Sequence, residues 1–409
     1  MCHARLTSEK NSEQRRMIKM KVNVIRGKNQ IGGNIIEIST DNTKILLDAG
    51  LELDNDKQDE LLDIPALFEY AGYDAVFVSH YHGDHLGLVY KAHKDIPIYI
   101  GESSYNIIKA SDNYKGNETI APKGFLRHKE EIVVGDITVT PFLCDHSAFD
   151  SYMLLCISGG ESVLYTGDFR SNGRKPFNML LNSLPKKIDK LICEGTTFSR
   201  EGYFAVTEKT LEEKAAKLFS ENKGPVFILQ SSMNIDRTVT MYRAAKRTNR
   251  VFLEDAYMAG ITTAAGEHIP NPKFSDVYAF ITSPSKYEFV SEYKRKVGKD
   301  RISKMHFAMC VRTSMLPYLK SLSEKMSFED GLLIYSFWSG YKNNESMKEF
   351  LAECEAMGLK IETLHTSGHA DENAVRKLID TVNPDVIIPV HTENAERFKE
   401  IAPEILVEI

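Results

Sequence analysis

No run of apolar residues in this chain approaches the roughly 18–20 that a membrane span needs. The polar opening MCHARLTSEKNSEQRRMIKM also lacks the apolar stretch of a secretory signal. Cysteine is sparse. The six (Cys2, Cys144, Cys156, Cys193, Cys310 and Cys354) are scattered without a C-x-x-C pair, which excludes a disulfide framework and points to reduced thiols in a cytoplasmic protein. Positive charge is not in excess either: Lys plus Arg is 51 against 57 Asp plus Glu, a net charge of −6. No overall field draws in nucleic acid, so such a partner has to be held by a local cleft. Internal repeats and low-complexity linkers are missing as well. What remains, 42% hydrophobic and 26% charged residues, excludes disorder and collagen. At roughly 100–200 residues per domain, 409 residues make two or three domains. Residues 1–20 read as a flexible leader, in which Met17 and Met20 are further plausible starts.

Short β-branched runs alternate with helical stretches throughout, the pattern of a layered α/β protein. Strands are expected at 21–25, 35–39, 44–47, 75–79, 98–100, 137–141, 163–166 and 191–193, and later at 226–229, 251–253, 332–335 and 386–390. Apolar positions recur every three or four residues at 208–221, 235–247, 285–296, 344–357 and 372–382, predicting helices there. From about residue 197 to 360 the chain reads strand, loop, helix repeatedly, and its last stretch returns to a strand ending in a histidine. One domain interrupted by a second accounts for this: 21–196 and 361–409 form the first, and 197–360 is inserted.

The segment Ser79-His80-Tyr81-His82-Gly83-Asp84-His85 carries the chemistry. A buried strand delivers three imidazoles and a carboxylate within six positions. Alternate residues at a strand end point the same way, so His80 and His82 can share one metal, while Asp84 and His85, past the Gly83 turn, can face a neighbouring one. Other apolar strands also end in ligand-type residues: 44–47 in Asp48, 137–144 in Asp145-His146, 163–166 in Gly167-Asp168, 191–193 in Glu194 and 386–390 in His391. Any one of these is more often a cap or a satisfied core histidine. Together, on one sheet edge, they describe a rigidly built site.

HYHGDH with the later His146, Asp168 (YTGDFR) and His391 resembles the metallo-β-lactamase superfamily. Glu194 in LICEGTT, His369 in HTSGHA and His391 in IIPVHTE resemble the three extra motifs of its β-CASP nucleases, the group that contains RNase J. The likeness runs from about residue 21 to the end, and 197–360 falls where that group carries its β-CASP domain. It implies an αββα metallo-β-lactamase sandwich with an inserted β-CASP α/β domain. It also implies a two-metal site, with His80, His82 and His146 on one ion, Asp84, His85 and His391 on the other, and Asp168 between them. Asp48 and Glu194 would orient the ligating imidazoles. Zinc suits the imidazole-rich set and manganese is compatible with it, whereas diiron relatives carry a carboxylate where His82 sits.

The implied activity is hydrolysis of RNA phosphodiesters to 5′-phosphate products, as a 5′→3′ exonuclease, an endonuclease or both. Two cations about 3.5–4 Å apart can hold a bridging hydroxide that attacks phosphorus. Asp84, Asp168 and His369 would act in catalysis, Asp84 on the nucleophile's proton and His369 on the departing oxygen. Histidine rather than valine at position 391 favours RNA over DNA, so single-stranded RNA is the expected partner; no membrane is expected, and a homodimer is compatible.

Substrate phosphates find seats at Ser231, Ser232 and Asn234, where a strand runs into a helix, at Arg312 and Ser314 after a similar run, and at His365 and Ser367. Helix capping explains Ser and Asn there equally well. Phe337, Trp338 and Tyr341 offer either base stacking or interdomain packing. The chain ends 18 residues past His391 (409 − 391), so the C-terminal domain of the best-known bacterial enzymes and the N-terminal RNA-binding domains of some archaeal relatives are not expected. Two other readings use the same fold. A hydrolase of small thioesters, lactones or lactams needs neither the insertion nor SGHA, and a metal-free binding module does not need every ligand position filled.

Overall fold

The computed structural model describes residues 19–53, 62–200 and 202–409. Most of the expected leader, residues 1–18, lies outside them. Strands β1 (Lys21–Arg26), β2 (Ile35–Ser39), β3 (Lys44–Ala49), β4 (Ala75–Phe77), β5 (Ile98–Gly101) and β6 (Gly124–Leu126) form one sheet in that order. It is antiparallel through β1–β3 and parallel from β3 to β6. A second sheet starts from β7 (Ile132–Val134), β8 (Ile137–Cys144), β9 (Ser151–Ser158), β10 (Glu161–Tyr165) and β11 (Ile188–Glu194).

The chain then builds a separate parallel sheet. Its strands are β12 (Val226–Leu229), β13 (Val251–Asp255), β14 (Val277–Phe280), β15 (Phe307–Val311), β16 (Gly331–Tyr335) and β17 (Leu359–Thr363), in the order β14-β13-β15-β12-β16-β17. After it, β18 (Pro384–Val390) pairs in parallel with β11, and β19 (Leu406–Val407) completes the second sheet.

The expected four-layer sandwich is observed. Ile36, Ile38, Ile45, Leu47 and Phe77 of the first sheet meet Val139, Leu154, Val163, Tyr165, Ile192 and Val390 of the second in one buried cluster. The outer face of the second sheet is covered by the helices Phe177–Ser183 and Glu372–Val382, which bring Leu180, Val375 and Leu378. The first sheet's outer face packs Val76, Val78 and Ile100 against Ile107 and Ile108 of the helix Glu102–Lys115. The parallel sheet is apolar on both faces, as such sheets are. Among the described residues no helix is long and apolar enough to cross a membrane.

Helices at Glu208–Glu221, Ile235–Arg247 and Glu372–Val382 fall where the apolar spacing puts them. The helix expected at 285–296 does not form. Pro284–Val290 makes a tight 3-10 turn, and the Arg295 carbonyl and Val297 amide are instead captured by Ala279 at the edge of the parallel sheet. β9, with the sequence SYMLLCIS, escapes a reading by propensity because Met and Leu favour helix; its place between β8 and β10 makes it a strand.

A buried charge network ties the sandwich to the parallel-sheet unit. Arg170, wholly buried, donates to Asp145 at 2.5 Å, to Asp236 at 2.6 Å and to Glu208 at 3.4 Å. Glu208 also takes Arg237, which reaches the Ser336 hydroxyl and the carbonyls of Leu364 and Thr366. Removing Arg170 leaves three desolvated carboxylates short of a partner. Arg170→Met is therefore expected to cost about 3–5 kcal/mol, read as a lower urea midpoint; a loss below about 1 kcal/mol would show the network to be dispensable.

Glu254, buried at the end of β13, accepts a hydrogen bond from Thr262 at 2.8 Å. Burial first, then the charge of Asp255, raises its carboxyl from the usual 4.5 to about 8. The folded state then holds a proton that the unfolded chain releases, so stability falls as pH rises from 4.5 to about 8. Glu254→Gln should remove this part of the decline. Parallel stability curves for the two proteins across that range would refute it.

Candidate metal centre

The ligand-type residues lie where strands end. Asp48 is in the last turn of β3, His80 follows β4, and Asp84 and His85 sit in the short helix Gly83–Leu86. His146 follows β8, Asp168 follows β10, Glu194 closes β11 and His391 follows β18. Asp48 and His391 have φ of 60° and 51°, a left-handed backbone that non-glycine residues adopt at a cost and that recurs at functional sites. Glycine permits two close approaches. A Cβ on Gly50 would lie 1.7 Å from the Asp84 carbonyl oxygen, and one on Gly368 would lie 2.3 Å from the Ser147 hydroxyl.

Two buried carboxylates hold the imidazoles in place. Asp48 accepts from the Ser79 amide at 2.6 Å, the Ser79 hydroxyl at 2.7 Å, the Tyr165 hydroxyl at 2.7 Å and His85 Nδ1 at 2.7 Å. The Ser79 hydroxyl, turned toward Asp48, accepts from His80 Nδ1 at 3.0 Å. Glu194 accepts from the Phe169 amide at 2.8 Å, the Thr196 hydroxyl at 2.6 Å and His369 Nδ1 at 3.1 Å. The Thr196 oxygen in turn accepts from His391 Nδ1 at 2.7 Å. His146 Nδ1 donates to the Gly368 carbonyl at 2.5 Å. With each Nδ1 proton committed, the Nε2 lone pairs of His80, His85, His146 and His391 turn inward, the arrangement that orients imidazole ligands.

At the centre is Asp168. Its Oδ2 has His85 at 3.3 Å, His369 at 3.5 Å, His80 and His391 at 3.7 Å and His146 at 3.8 Å. Yet neither Asp168 oxygen, nor Nε2 of His80 or His85, makes a hydrogen bond of proper geometry, although all are buried. Two donors each about 2.1 Å from a tetrahedral ion stand about 3.4 Å apart, so these separations fit shared cations better than direct bonds.

Three overlapping groups of donor atoms lie within 4.8 Å of one another: His80, His82, His146 and Asp168; Asp84, His85 and His391; and Asp168, Glu194, His369 and His391. All seven expected ligands are therefore brought together. Glu194 and His369, expected in other roles, also lie within ligand distance.

The electrostatics agree. Burial, then the neighbouring imidazoles, holds His80 and His146 well below the usual histidine range, and burial takes His82 down to about 4. These three are neutral, the form that binds metal. At His85 burial also opposes charge, but Asp168, Asp84 and Asp48 overcome it and push the ring well above its usual range. At His369, which is partly exposed, burial again opposes charge, but Glu194 and Asp168 raise the ring to about 9. The carboxylates on this side of the site demand positive charge, which a divalent cation supplies.

The expected phosphate seats spread more widely. Asn234 spends its side-chain oxygen capping Ile235–Arg247 through the Arg237 amide at 3.0 Å. Its backbone bridges to Ala148, beside His146. Arg312 is held bidentately by Asp255, with both bonds at 2.6 Å, and touches the buried Ser232. Ser231 and Ser314 are exposed. Ser367 is buried next to the centre, its hydroxyl accepting from the His369 amide at 3.1 Å. His365 presents a buried Nδ1 without a partner, and burial lowers its pKa to about 4. Sequence reasoning missed Ser79, Tyr165, Thr196 and the Gly368 carbonyl. Ser79 carries a signal, its place directly before His80, but Tyr165 and Thr196 look like ordinary strand and loop residues.

Residues 29–218 match the metallo-beta-lactamase superfamily, and residues 356–402 match a Zn-dependent metallo-hydrolase RNA specificity domain. The chain is 22% identical to a ribonuclease J of Sinorhizobium meliloti over 78% of this chain and 58% of that one. It is 23% identical to a probable RNase MJ4 of Methanocaldococcus jannaschii over 90% and 92% of the two chains. For a ribonuclease J of Helicobacter pylori the identity is 21%, over 94% and 58%. The chain thus spans little more than half the length of those two ribonucleases J. A solved structure, a protein of unknown function from Enterococcus faecalis V583, superposes with a TM-score of 0.73 at 20% identity, over 96% of this chain and 98% of that one. With its four-layer sandwich and its histidine and carboxylate centre, the chain is similar to the metallo-β-lactamase superfamily over residues 29–218 and to RNase J-like relatives over most of its length.

Proposed function

We propose that the chain is a ribonuclease of RNase J type, hydrolysing phosphodiesters of single-stranded RNA to leave 5′-phosphates, by 5′→3′ exonucleolytic cleavage, internal cleavage or both. One observation carries the reading. His369 and His391, both inside the segment that matches an RNA specificity domain, lie against Asp168 and Asp84 of the sandwich. His80, His82 and His146 would hold one divalent ion, Asp84, His85 and His391 a second, and Asp168 would serve both, with zinc the best match to the imidazole-rich set and manganese next. Bound there, the ions supply Lewis acidity at the phosphoryl oxygens and a nucleophile at neutral pH.

The chain's own groups do the rest. Asp48 fixes His85 directly and His80 through Ser79, while Glu194 fixes His369 directly and His391 through Thr196. His369 gives its proton to the departing 3′-oxygen, and Asp84 takes one from the attacking water. Ser231, Ser232, Asn234, Arg312, Ser314, His365 and Ser367 line the path of the phosphates, Ser367 nearest the centre.

The deciding experiment gives metal-replete protein a 3′-labelled single-stranded RNA bearing either a 5′-monophosphate or a 5′-triphosphate. Mononucleotides from the monophosphate RNA alone identify a 5′→3′ exonuclease, and discrete fragments from both identify an endonuclease. Intact RNA in both cases overturns the reading. Asp84→Ala combined with His85→Ala should abolish cleavage and lower the bound zinc while leaving the circular dichroism spectrum unchanged; full activity would sink the ligand assignment. His369→Ala should lower kcat by about 10²–10⁴-fold with little change in RNA affinity. A collapse of binding at unchanged kcat would make His369 a clamp instead.

A further inference from the structure

Near the metal centre, aromatic rings are left open to solvent. Trp338 is 48% exposed and Tyr341 47%. Large apolar side chains clustered at the surface beside a site are the informative exception to burial. Here they have a built arrangement. The Trp338 indole lies across Gly340, where a Cβ would stand 2.2 Å from the ring. Tyr335 donates its hydroxyl proton to the Trp338 carbonyl at 2.8 Å, and Tyr341 meets the indole edge-to-face at 5.7 Å. The Arg200 guanidinium bridges the rings of Trp338 and Tyr203, 5.7 Å from each centroid.

This cluster is joined to the centre. The Tyr203 hydroxyl accepts from the Ser367 amide at 3.2 Å, the Ser367 hydroxyl accepts from the His369 amide at 3.1 Å, and His369 reaches Glu194 and Asp168. On the other side, the Tyr341 phenol lies in the field of the Asp84 carboxylate. Cations accompany the rings: Arg200 lies between two of them, and Lys342 stands 4.7 Å over Tyr335. In a chain of net charge −6, an aromatic face flanked by Arg and Lys beside the centre suits an anionic strand with unstacked bases.

We propose that Trp338 and Arg200 form a nucleobase-stacking clamp at the entrance to the metal centre, taking one unpaired base of the RNA strand while its phosphates run toward His369. The clamp reads the π-face of the base, so it accepts all four bases and grips single strands in preference to duplex. It rests on the ribonuclease reading, whose substrate handling it specifies.

Trp338 is the only tryptophan in the chain, so its emission reports on the clamp directly. Metal-replete protein is titrated with a 2′-O-methyl hexaribonucleotide, which resists cleavage, and with an abasic chain of equal length, both end-labelled so that anisotropy gives Kd independently. The expected result is saturable quenching of Trp338 by the hexamer, weaker binding of the abasic chain without quenching, and a Kd raised about 5- to 150-fold in Trp338→Ala but largely restored in Trp338→Phe. Binding of the hexamer with unchanged Trp338 emission overturns the clamp and leaves the ribonuclease reading standing; this comparison needs no variant. If neither chain binds, the ribonuclease reading falls and the clamp with it.

Discussion

Asp168 is a fully buried carboxylate with neither oxygen hydrogen-bonded and five imidazole nitrogens standing 3.3–3.8 Å from one of them. Burying such a charge without compensation is costly. The surrounding structure brings ring nitrogens to the separation that a shared cation needs, without spending them on Asp168 in direct bonds. The strand ends, the left-handed backbone at Asp48 and His391 and the close approaches at Gly50 and Gly368 all keep that spacing.

Around this core the division of labour is symmetrical. Asp48 governs the imidazoles contributed by the first sheet, His80 and His85. Glu194 governs those contributed from the end of the chain, His369 and His391. Each carboxylate uses one hydroxyl, Ser79 or Thr196, to reach a second ring. Both are also tied to the backbone, through the amides of Ser79 and Phe169, so the ligands inherit the rigidity of the sheets.

The parallel-sheet unit is coupled to this centre by charge as well as by apolar packing. Arg170 lies two residues beyond Asp168, and Asp145 directly precedes His146; both belong to the network that reaches Glu208, Asp236 and Arg237. Arg237 also holds the carbonyls of Leu364 and Thr366, in the loop that leads to His369. The same buried contacts that join the two units therefore also brace the ligand loops.

Much of the centre was legible in the residues alone. Histidine and carboxylate at the ends of apolar strands have few structural reasons to recur, and HYHGDH places four donors within six residues, so the candidate ligands and a layered α/β class follow from spacing, while the four-layer sandwich follows from the resemblance of those motifs to a known family. Three of the helices fall at their expected bounds because amphipathic spacing is local. Contacts distant in sequence were not legible. Thr196 and Ser79 acquire their roles only when a carboxylate and an imidazole from elsewhere meet at their hydroxyls. Arg312 reads as part of a phosphate seat, and only the fold shows that Asp255 holds both its terminal nitrogens. The 285–296 segment has helical spacing but surrenders its end to a sheet edge. Sequence determined which groups can bind a cation, because that is a property of side chains; tertiary structure decided which are spent on one another and which stay free, because a hydrogen bond depends on ångström distances between residues far apart in the chain.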